Sequence, residues 1–474
     1  MALAVAWLMA AGIAWAQAGT ASLRGTVTDE QGGALPGATV TATSAATSAA
    51  RSTVTDVSGG YQFLALGPGL YDVKYELSGF RTAVRQQVQL AVDSASKLDI
   101  VMQIGALTEV VNVTAEATHI NTTDASIGNT ISGEQVRNLP LEANNVVGLL
   151  SLQPGAVYVP NAAVTDSRTG AVLSIDPRSG AVSGGRADQS NVTLDGIDVN
   201  DPQFGTAYSS AVRVTLDSLS EFRVSTSNYG ADTGRSSGAQ VSLVTRSGTN
   251  DWHGSANWVQ RNTRFSSNDY FLKLSQLQAG EESVPPKLDK KIYGGSFGGP
   301  VKKDRLFFFG NYERLTEDSE TPLLRNVPSL SMRDGVVIYP CADPGQCPGG
   351  SVQGFSDSHS VAAGSYGLGP SQLATIDPLG IGPSKLASDY FKTYPTPNDP
   401  GIDGANLVGY RFAAPINNAF NTYIGRVDYR HSNGQTFFGR FNVQDDSVLS
   451  APEFPGAAPN TDRQVKSRGL ATGW

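Results

Sequence analysis

Along the first hundred residues, apolar and polar side chains alternate, and turn clusters interrupt them at short intervals. Tyr71, Val73, Tyr75 and Leu77 fall on one face of a strand, and Asp72, Lys74 and Glu76 on the other. Val84, Val88 and Leu90 repeat the pattern, and so do Leu98, Ile100 and Met102. A period of two with one packed and one wet face predicts an antiparallel β-sandwich from Ala21 to Gln103. Asp29-Glu30-Gln31-Gly32-Gly33 and Leu35-Pro36-Gly37 supply turns, because Gly accepts positive φ and Pro presets the turn's second position.

The pattern then changes. Leu107 to Ala115 is a short extended run. Ser132 and Gln135 stand at capping-box spacing ahead of a short helix, which must stop by Leu139 because Pro140 disfavours helical geometry before it. Asn144 to Leu152 predicts a second helix, ended by Pro154-Gly155. A Gly/Ser/Ala-rich loop from Tyr158 to Gly185 leads into short strands and acidic Gly turns, with an alternating strand at Ser220 to Thr226 and the run Gly238 to Asn250 finishing the segment. This middle segment reads as mixed α/β.

From Asp251 the alternation returns in an aromatic style. Trp252, Gly254, Ala256 and Trp258 share one face; His253, Ser255 and Asn257 share the other. Tyr423, Gly425, Val427 and Tyr429 oppose Ile424, Arg426, Asp428 and Arg430. After an Asn433-Gly434 hairpin turn, Phe437, Gly439, Phe441 and Val443 oppose Phe438, Arg440, Asn442 and Gln444. Apolar-out, polar-in alternation with aromatics is the pattern of a membrane β-barrel. It turns Arg426, Asp428, Arg430 and Arg440 inward, where a lumen can hydrate them. A soluble sandwich would alternate too, so the pattern alone leaves both open.

The amino terminus is an address. Met1 to Ala16 is almost entirely apolar and ends Ala14-Trp15-Ala16, the small-x-small pattern of a signal peptidase site, which places cleavage after Ala16. The positively charged n-region is missing, since Arg24 is the first basic residue. No later stretch reaches about 18 consecutive apolar residues, so a membrane role has to use strands.

Composition narrows the function classes. The 474 residues carry a net charge of −8 and a pI near 5.1, which argues against a nucleic-acid partner. Charged residues are only 16%, while 52 Gly and 25 Pro punctuate a 40% apolar chain, as in an exported β-rich protein. Cys341 and Cys347 are too few for a disulfide framework. Their spacing leaves open one small disulfide loop or two unpaired thiols.

Catalytic signals are weak. Gly294-Gly295-Ser296-Phe297-Gly298 matches the nucleophile-elbow pattern, but Gly299-Pro300 and an aromatic strand follow where the elbow needs a helix. His119, His253, His359 and His431 stand far apart, none at a helical zinc spacing. Asp195, Asp198, Asn200 and Asp201 miss the calcium-loop spacing. No enzyme activity, cofactor or metal is expected.

Several word-like runs resemble known families. Gly25-Thr26-Val27-Thr28-Asp29, Leu35-Pro36-Gly37-Ala38-Thr39-Val40, Thr55 to Phe63, Leu66 to Tyr71 and Ser78-Gly79-Phe80 resemble the carboxypeptidase regulatory-like domain, a transthyretin-like sandwich of carbohydrate-binding-like fold. The resemblance implies a folding or docking module, with sugar binding suggested by fold analogy only. Leu107 to Ala115 resembles a TonB box with the first plug strand, the box at Glu109, Val110, Val111, Asn112 and Val113; the bland alternative is a linker strand. The run through Gly185, Arg186, Asp188, Asn191, Asp195 and Gly196 to Asn250 is similar to the plug domain of TonB-dependent outer-membrane receptors. Gly298 to Glu313 resembles the barrel start in the Oar-like branch of that family.

These resemblances imply a mainly β architecture: signal peptide 1–16, regulatory-like β-sandwich 17–105, TonB-box linker and mixed α/β plug 106–250, and a partial transmembrane β-barrel 251–474. The implied protein sits in the bacterial outer membrane with its sandwich in the periplasm. It contacts outer-membrane lipid, takes up or binds an extracellular ligand, carbohydrate or peptide being favoured, and is energised through TonB. The alternative is a secreted or surface carbohydrate-binding, adhesive protein. Receptors of this family resemble one another in closing 22 strands of roughly 10 residues each. The residues after Asn250 are too few for that once the polar connection from Thr316 to Asn421 is set aside, so an amino-terminal fragment of a longer receptor is expected.

Overall fold

The computed structural model describes residues 19–105, 110–113, 126–139, 146–157, 163–165, 172–175, 181–185, 189–200, 213–230, 237–347, 349–352, 360–400, 405–432 and 434–473. The expected signal peptide, Glu109, Arg186, Asp188, Asp201, His119, His359 and Asn433 lie outside the described residues.

The first domain is built from β1 (Ala21–Asp29), β2 (Thr39–Ser44), β3 (Ala50–Val54), β4 (Gly60–Leu66), β5 (Gly69–Glu76), β6 (Thr82–Leu90), β7 (Ala95–Lys97), β8 (Ile100–Met102) and β9 (Val110–Val113). One sheet runs β4-β1-β7 with β8 also on β1; the other runs β3-β2-β5-β6-β9. Their inner faces meet in a core that includes Leu23, Val27, Val40, Val73, Tyr75 and Leu90. Within it the Tyr61 hydroxyl donates to the Leu98 carbonyl at 2.7 Å and so accepts from the Tyr75 hydroxyl at 2.8 Å. Burial raises both phenols above their ordinary value. Gly25 is required by this packing, because a Cβ there would lie 1.9 Å from the Leu98 oxygen.

One detail differs from the expected alternation. β6 turns Thr82 and Ala83 into the core with Val88 and Leu90, and leaves Val84 half-buried. Pairing with β5 is irregular between Tyr71 and Val73, and Gln87 adopts a left-handed backbone (φ 56°) whose N–H goes to Asp72 Oδ1 at 2.9 Å. An extra residue of this kind resets the period of two.

The middle domain holds β10 (Ile127–Ser132), β11 (Ala156–Val157), β12 (Ala163–Thr165), β13 (Val172–Ile175), β14 (Ala181–Val182), β15 (Asn191–Leu194), β16 (Ile197–Asp198), β17 (Leu219–Ser227) and β18 (Gln240–Thr245). Its main sheet runs β10-β17-β18-β15-β16, and β11 pairs β14 as β12 pairs β13. The helix Gly133–Asn138 starts on a formed capping box: Ser132 Oγ accepts from Gln135 N, and Gln135 Oε1 accepts from Ser132 N at 3.0 Å. Val146–Leu152 is a 3₁₀ helix. It places Val146, Leu149 and Leu150 in one core with Leu194, Phe222 and Leu243.

The last segment is a meander of β19 (His253–Asn262), β20 (Leu288–Lys302), β21 (Leu306–Pro328), β26 (Leu407–Arg430), β27 (Thr436–Leu449) and β28 (Asp462–Gly473), with β22 (Val337–Pro340), β23 (Gly350–Ser351), β24 (Ser360–Val361) and β25 (Ser365–Leu368) in the connection between β21 and β26. The six long strands pair antiparallel in chain order. Among the described residues the sheet is open, with β19 and β28 at its edges.

The polar connection expected from Thr316 to Asn421 is strand at both ends. β21 pairs β26 from Leu306 opposite Tyr429 to Pro328 opposite Leu407. The 23 residues of β21 reach about 75 Å at roughly 3.3 Å each, against an apolar band of about 25 Å in outer-membrane barrels. Most of this hairpin therefore runs in water, where a strand needs no apolar face and its sequence reads as loop. Nearer the short turns Trp252 stacks on Phe297 and Trp258 on Tyr293. Trp252, Trp258, Phe297, Tyr423, Tyr429, Phe437 and Phe441 are exposed on one face. The opposite face carries Ile424, Arg426, Phe438, Arg440 and Asn442 and packs on the middle domain.

Candidate functional site

The hairpin of β15 and β16 turns on two residues, Asp195 and Gly196, with Leu194 opposite Ile197. Both have positive φ, 52° and 80°, as a two-residue hairpin of this hand requires. That turn drives the Asp195 carboxylate into the face of β26 and β27, where it is 3% exposed. Its Oδ1 accepts from Thr245 N at 2.9 Å and from Arg426 Nη1 at 3.1 Å. Its Oδ2 accepts from Thr245 Oγ1 at 2.9 Å and ion-pairs with Arg440 Nε at 2.7 Å.

Arg426 and Arg440 stand directly opposite each other on adjacent strands. Two like charges in that register repel, and a carboxylate inserted between them reverses the sign of the arrangement. Asp428 takes the other side of Arg426 at 2.9 to 3.1 Å. The Arg426 guanidinium also lies over the Phe438 ring, 4.9 Å from its centroid. Arg440 Nη1 reaches Asn442 Oδ1 at 2.5 Å.

A second set of contacts flanks the first. Arg213 forms a two-pronged pair with Asp446, at 3.1 and 2.6 Å, and covers Phe420 at 4.5 Å. Thr215 donates to Asn311 at 2.7 Å, and Ser255 to Asp217 at 3.0 Å. Arg246 donates to Asp217 O and Ser296 Oγ, both at 3.4 Å, over the Phe309 ring. Burial lowers the Arg246 pKa, Arg137 adds to that, and Asp217 opposes it. Arg213, Asp217, Arg246 and Asp446 are not distinguished by sequence reading, since Arg246 stands between Thr245 and Ser247 and Asp446 beside Asp445.

The other expected residues are spread around this cluster. Asn191 is buried, its N–H on Ala239 O and its side-chain oxygen accepting from Asn200 Nδ2 at 3.0 Å. Asp198 accepts from Asn200 N at 2.9 Å. Gly185 N–H bonds Val182 O. Ser296 lies within β20, which continues to Lys302, and hydrogen-bonds Ser255 at 2.6 Å. Cys341 and Cys347 are joined in a disulfide, Cα to Cα 6.5 Å, in the connection between β21 and β26.

Arg430 points to the sandwich, donating to Ser48 O at 3.3 Å, and Asn250 bonds Ala46 O at 3.0 Å and Ser48 Oγ at 3.2 Å. On the middle domain, Glu221 Oε1 accepts from Val92 N at 2.9 Å, and Ser242 bonds Asp93. Burial raises the Glu221 carboxyl to about 7, with Val92 N–H and Arg223 opposing and Asp93 adding. A cavity of about 740 Å³ remains between the three domains, lined by Asp195, Arg426, Tyr71 and Ala46 among others. Val110–Val113 stands away from this cavity, added in parallel to β6 with Thr82 opposite Val110 and Arg85 opposite Val113. Among the described residues its outer edge pairs with no strand.

Residues 22–103 match the carboxypeptidase regulatory-like domain family, and residues 244–474 the outer membrane beta barrel domain family. The chain is 27% identical over 319 residues to the TonB-dependent transporter Oar of Myxococcus xanthus, covering 65% of this chain and 28% of that protein. It thus spans little more than a quarter of the length of the curated relative it matches. Among solved structures it is similar to the outer membrane transporter YddB from Escherichia coli, at 14% identity and a TM-score of 0.41 over 73% of this chain and 36% of that one. The siderophore receptor PirA from Acinetobacter baumannii matches at 15% identity and a TM-score of 0.34, over 76% and 46%. The class is set by the two domain families: an outer-membrane β-barrel protein carrying an amino-terminal regulatory-like sandwich. Within that class, its sequence similarity is to a TonB-dependent transporter.

Proposed function

We propose that the chain binds or takes up an extracellular ligand across the outer membrane, with residues 106–250 as TonB-box linker and movable plug, residues 251–474 as barrel wall and Glu109–Val113 as the handle for TonB. The observation that carries this reading is the buried Asp195 carboxylate held between Arg426 and Arg440. A plug must stay seated at rest and still come away under force. Charge pairs suit that task, because they are strong in a dry interface and weaken steeply once water enters. An apolar contact has no such dependence.

The handle rests on backbone chemistry. Val110–Val113 is extended and has an open edge among the described residues, which a partner can extend by strand addition. The ligand enters from the side opposite the sandwich, and the sandwich sits at the periplasmic mouth as a docking module. Residues 1–16 would direct export.

Val111→Pro removes the N–H the ladder needs. Crosslinking to TonB from a photoreactive group near position 112, in cells, is expected to disappear in Val111→Pro while heat-modifiable migration in the outer-membrane fraction is retained. Undiminished crosslinking would overturn the handle assignment.

A further inference from the structure

At the end of the meander away from the sandwich, three separate chain segments converge on a pocket of about 570 Å³. The segment after the helix Lys385–Phe391 brings Tyr394, the start of β26 brings Tyr410, and the connection between β27 and β28 brings Glu453 and Phe454. Tyr390, on the helix itself, completes the wall and is 59% exposed. The rings stand nearly at right angles: Tyr390 to Tyr394 at 5.5 Å and 89°, Tyr394 to Phe454 at 5.4 Å and 87°. Tyr410 closes the set at 6.4 Å from Phe454.

The walls are braced from behind. Arg333, 8% exposed, donates to the Tyr394 carbonyl at 3.0 Å and to the Pro395 carbonyl at 2.5 Å. The other cations nearby are committed: Lys392 to Asp334 at 3.5 Å, and Arg411 to Asp399 at 3.0 Å. Glu453 is therefore the charged group that lines the pocket. Its charge acts on Tyr394, whose hydroxyl is held above its ordinary pKa first by donating to Tyr390, then by burial, and further by Tyr390 and Glu453.

The geometry points to a binding site for an organic cation, an alkylammonium or guanidinium group enclosed by the faces and edges of Tyr390, Tyr394, Tyr410 and Phe454 and neutralised by Glu453. Electron-rich ring faces attract such a group within about 6 Å of their centroids, and a lone carboxylate beside them supplies the charge. An anionic ligand would meet aromatic rings and a like charge. The cation can arrive as a free small compound or as a lysine or arginine side chain of a peptide. The inference rests on the function proposed above for its placement outside the cell.

Isothermal titration of the full chain in detergent, with choline, a lysine-containing tripeptide and maltotriose in separate arms, tests it. Saturable binding of choline, the tripeptide or both is expected at low salt, with none for maltotriose. Binding by choline identifies the free-compound source, and binding by the tripeptide alone identifies the peptide source. Glu453→Gln and Tyr390→Leu are each expected to weaken it by about tenfold. Tyr390→Leu keeps apolar bulk at an exposed position, so it separates the loss of a ring face from misfolding, and unaltered heat-modifiable migration checks both variants. No cation binding, equal binding of maltotriose, or insensitivity to both variants overturns the site. Undiminished TonB crosslinking in Val111→Pro with cation binding intact would overturn the handle assignment and leave the pocket standing.

Discussion

Inside the middle domain the buried side chains are Val136, Leu149, Leu150, Leu194, Phe222 and Leu243, whereas on the side turned to the meander they include Thr215, Asp217, Asp195 and Thr245, met by Asn311, Arg440 and Arg426. The same small domain thus has an apolar interior and a charged seat. An apolar core gains from every methylene kept from water and releases nothing gradually. A seat of charge pairs is neutral only while each partner is in place, and each partner can be hydrated once separated. The difference suits a body that keeps its own fold while leaving its socket.

The largest effect is expected inside the core. Phe222→Ala, at 1% exposure, should cost about 3–5 kcal/mol and lower the unfolding midpoint of the middle domain in calorimetry. Asp195→Asn comes next, at about 3 kcal/mol, because Arg426 keeps Asp428 while Arg440 loses its carboxylate. Asn tolerates the left-handed backbone of that turn, so the hairpin survives and only the charge changes. Limited proteolysis should then cut the middle domain faster with its secondary structure intact. If Asp195→Asn unfolds the domain as Phe222→Ala does, seat and core are one unit and the distinction fails.

What the sequence made legible follows from period. Tyr71, Val73 and Tyr75, and the split of Tyr423, Val427 and Tyr429 from Arg426, Asp428 and Arg430, are strict alternations, and the faces they define are the faces observed. Where the period breaks, reading fails: Val84 lost its place to a bulge at Gln87, and the long β21–β26 hairpin read as loop because every residue from Thr316 to Thr321 is polar. The seat was half legible. Alternation aimed Arg426 and Arg440 inward and motif resemblance marked Asp195, yet nothing in one dimension joins residues more than 230 positions apart, and Arg213 with Asp446 gave no signal at all. Cross-domain pairing is a property of docking, which local pattern does not carry.

A third way to sharpen the contrast uses protons. Glu221 is the buried acid of the middle domain at its contact with the sandwich, with a folded pKa of about 7 against 4.5 when free. Between those values the folded state binds more protons than the unfolded one, so stability falls as pH rises from about 5 to 8. The span is on the order of 2–3 kcal/mol. Unfolding midpoints across this range should decline in the native chain and flatten in Glu221→Gln. A parallel decline in both would place the titrating group elsewhere.

The smallest effect belongs to the distal loop, and it tests whether that end is independent of seat and core alike. The disulfide between Cys341 and Cys347 is separated by six positions in sequence, so opening it restores little chain entropy, about 2 kcal/mol in the loop-closure account. Cys341 N–H bonds Gly364 O, and Gly364 N–H bonds Cys347 O at 2.8 Å, tying the loop to its own neighbours in the connection between β21 and β26. The double replacement Cys341→Ser with Cys347→Ser should therefore raise hydrogen exchange over residues 337–368 and leave the Asp195 seat and the Phe222 core as protected as before. Altered protection at Asp195 would mean that the outer loop and the inner seat are coupled through the long hairpin, whose paired backbone runs unbroken from one to the other.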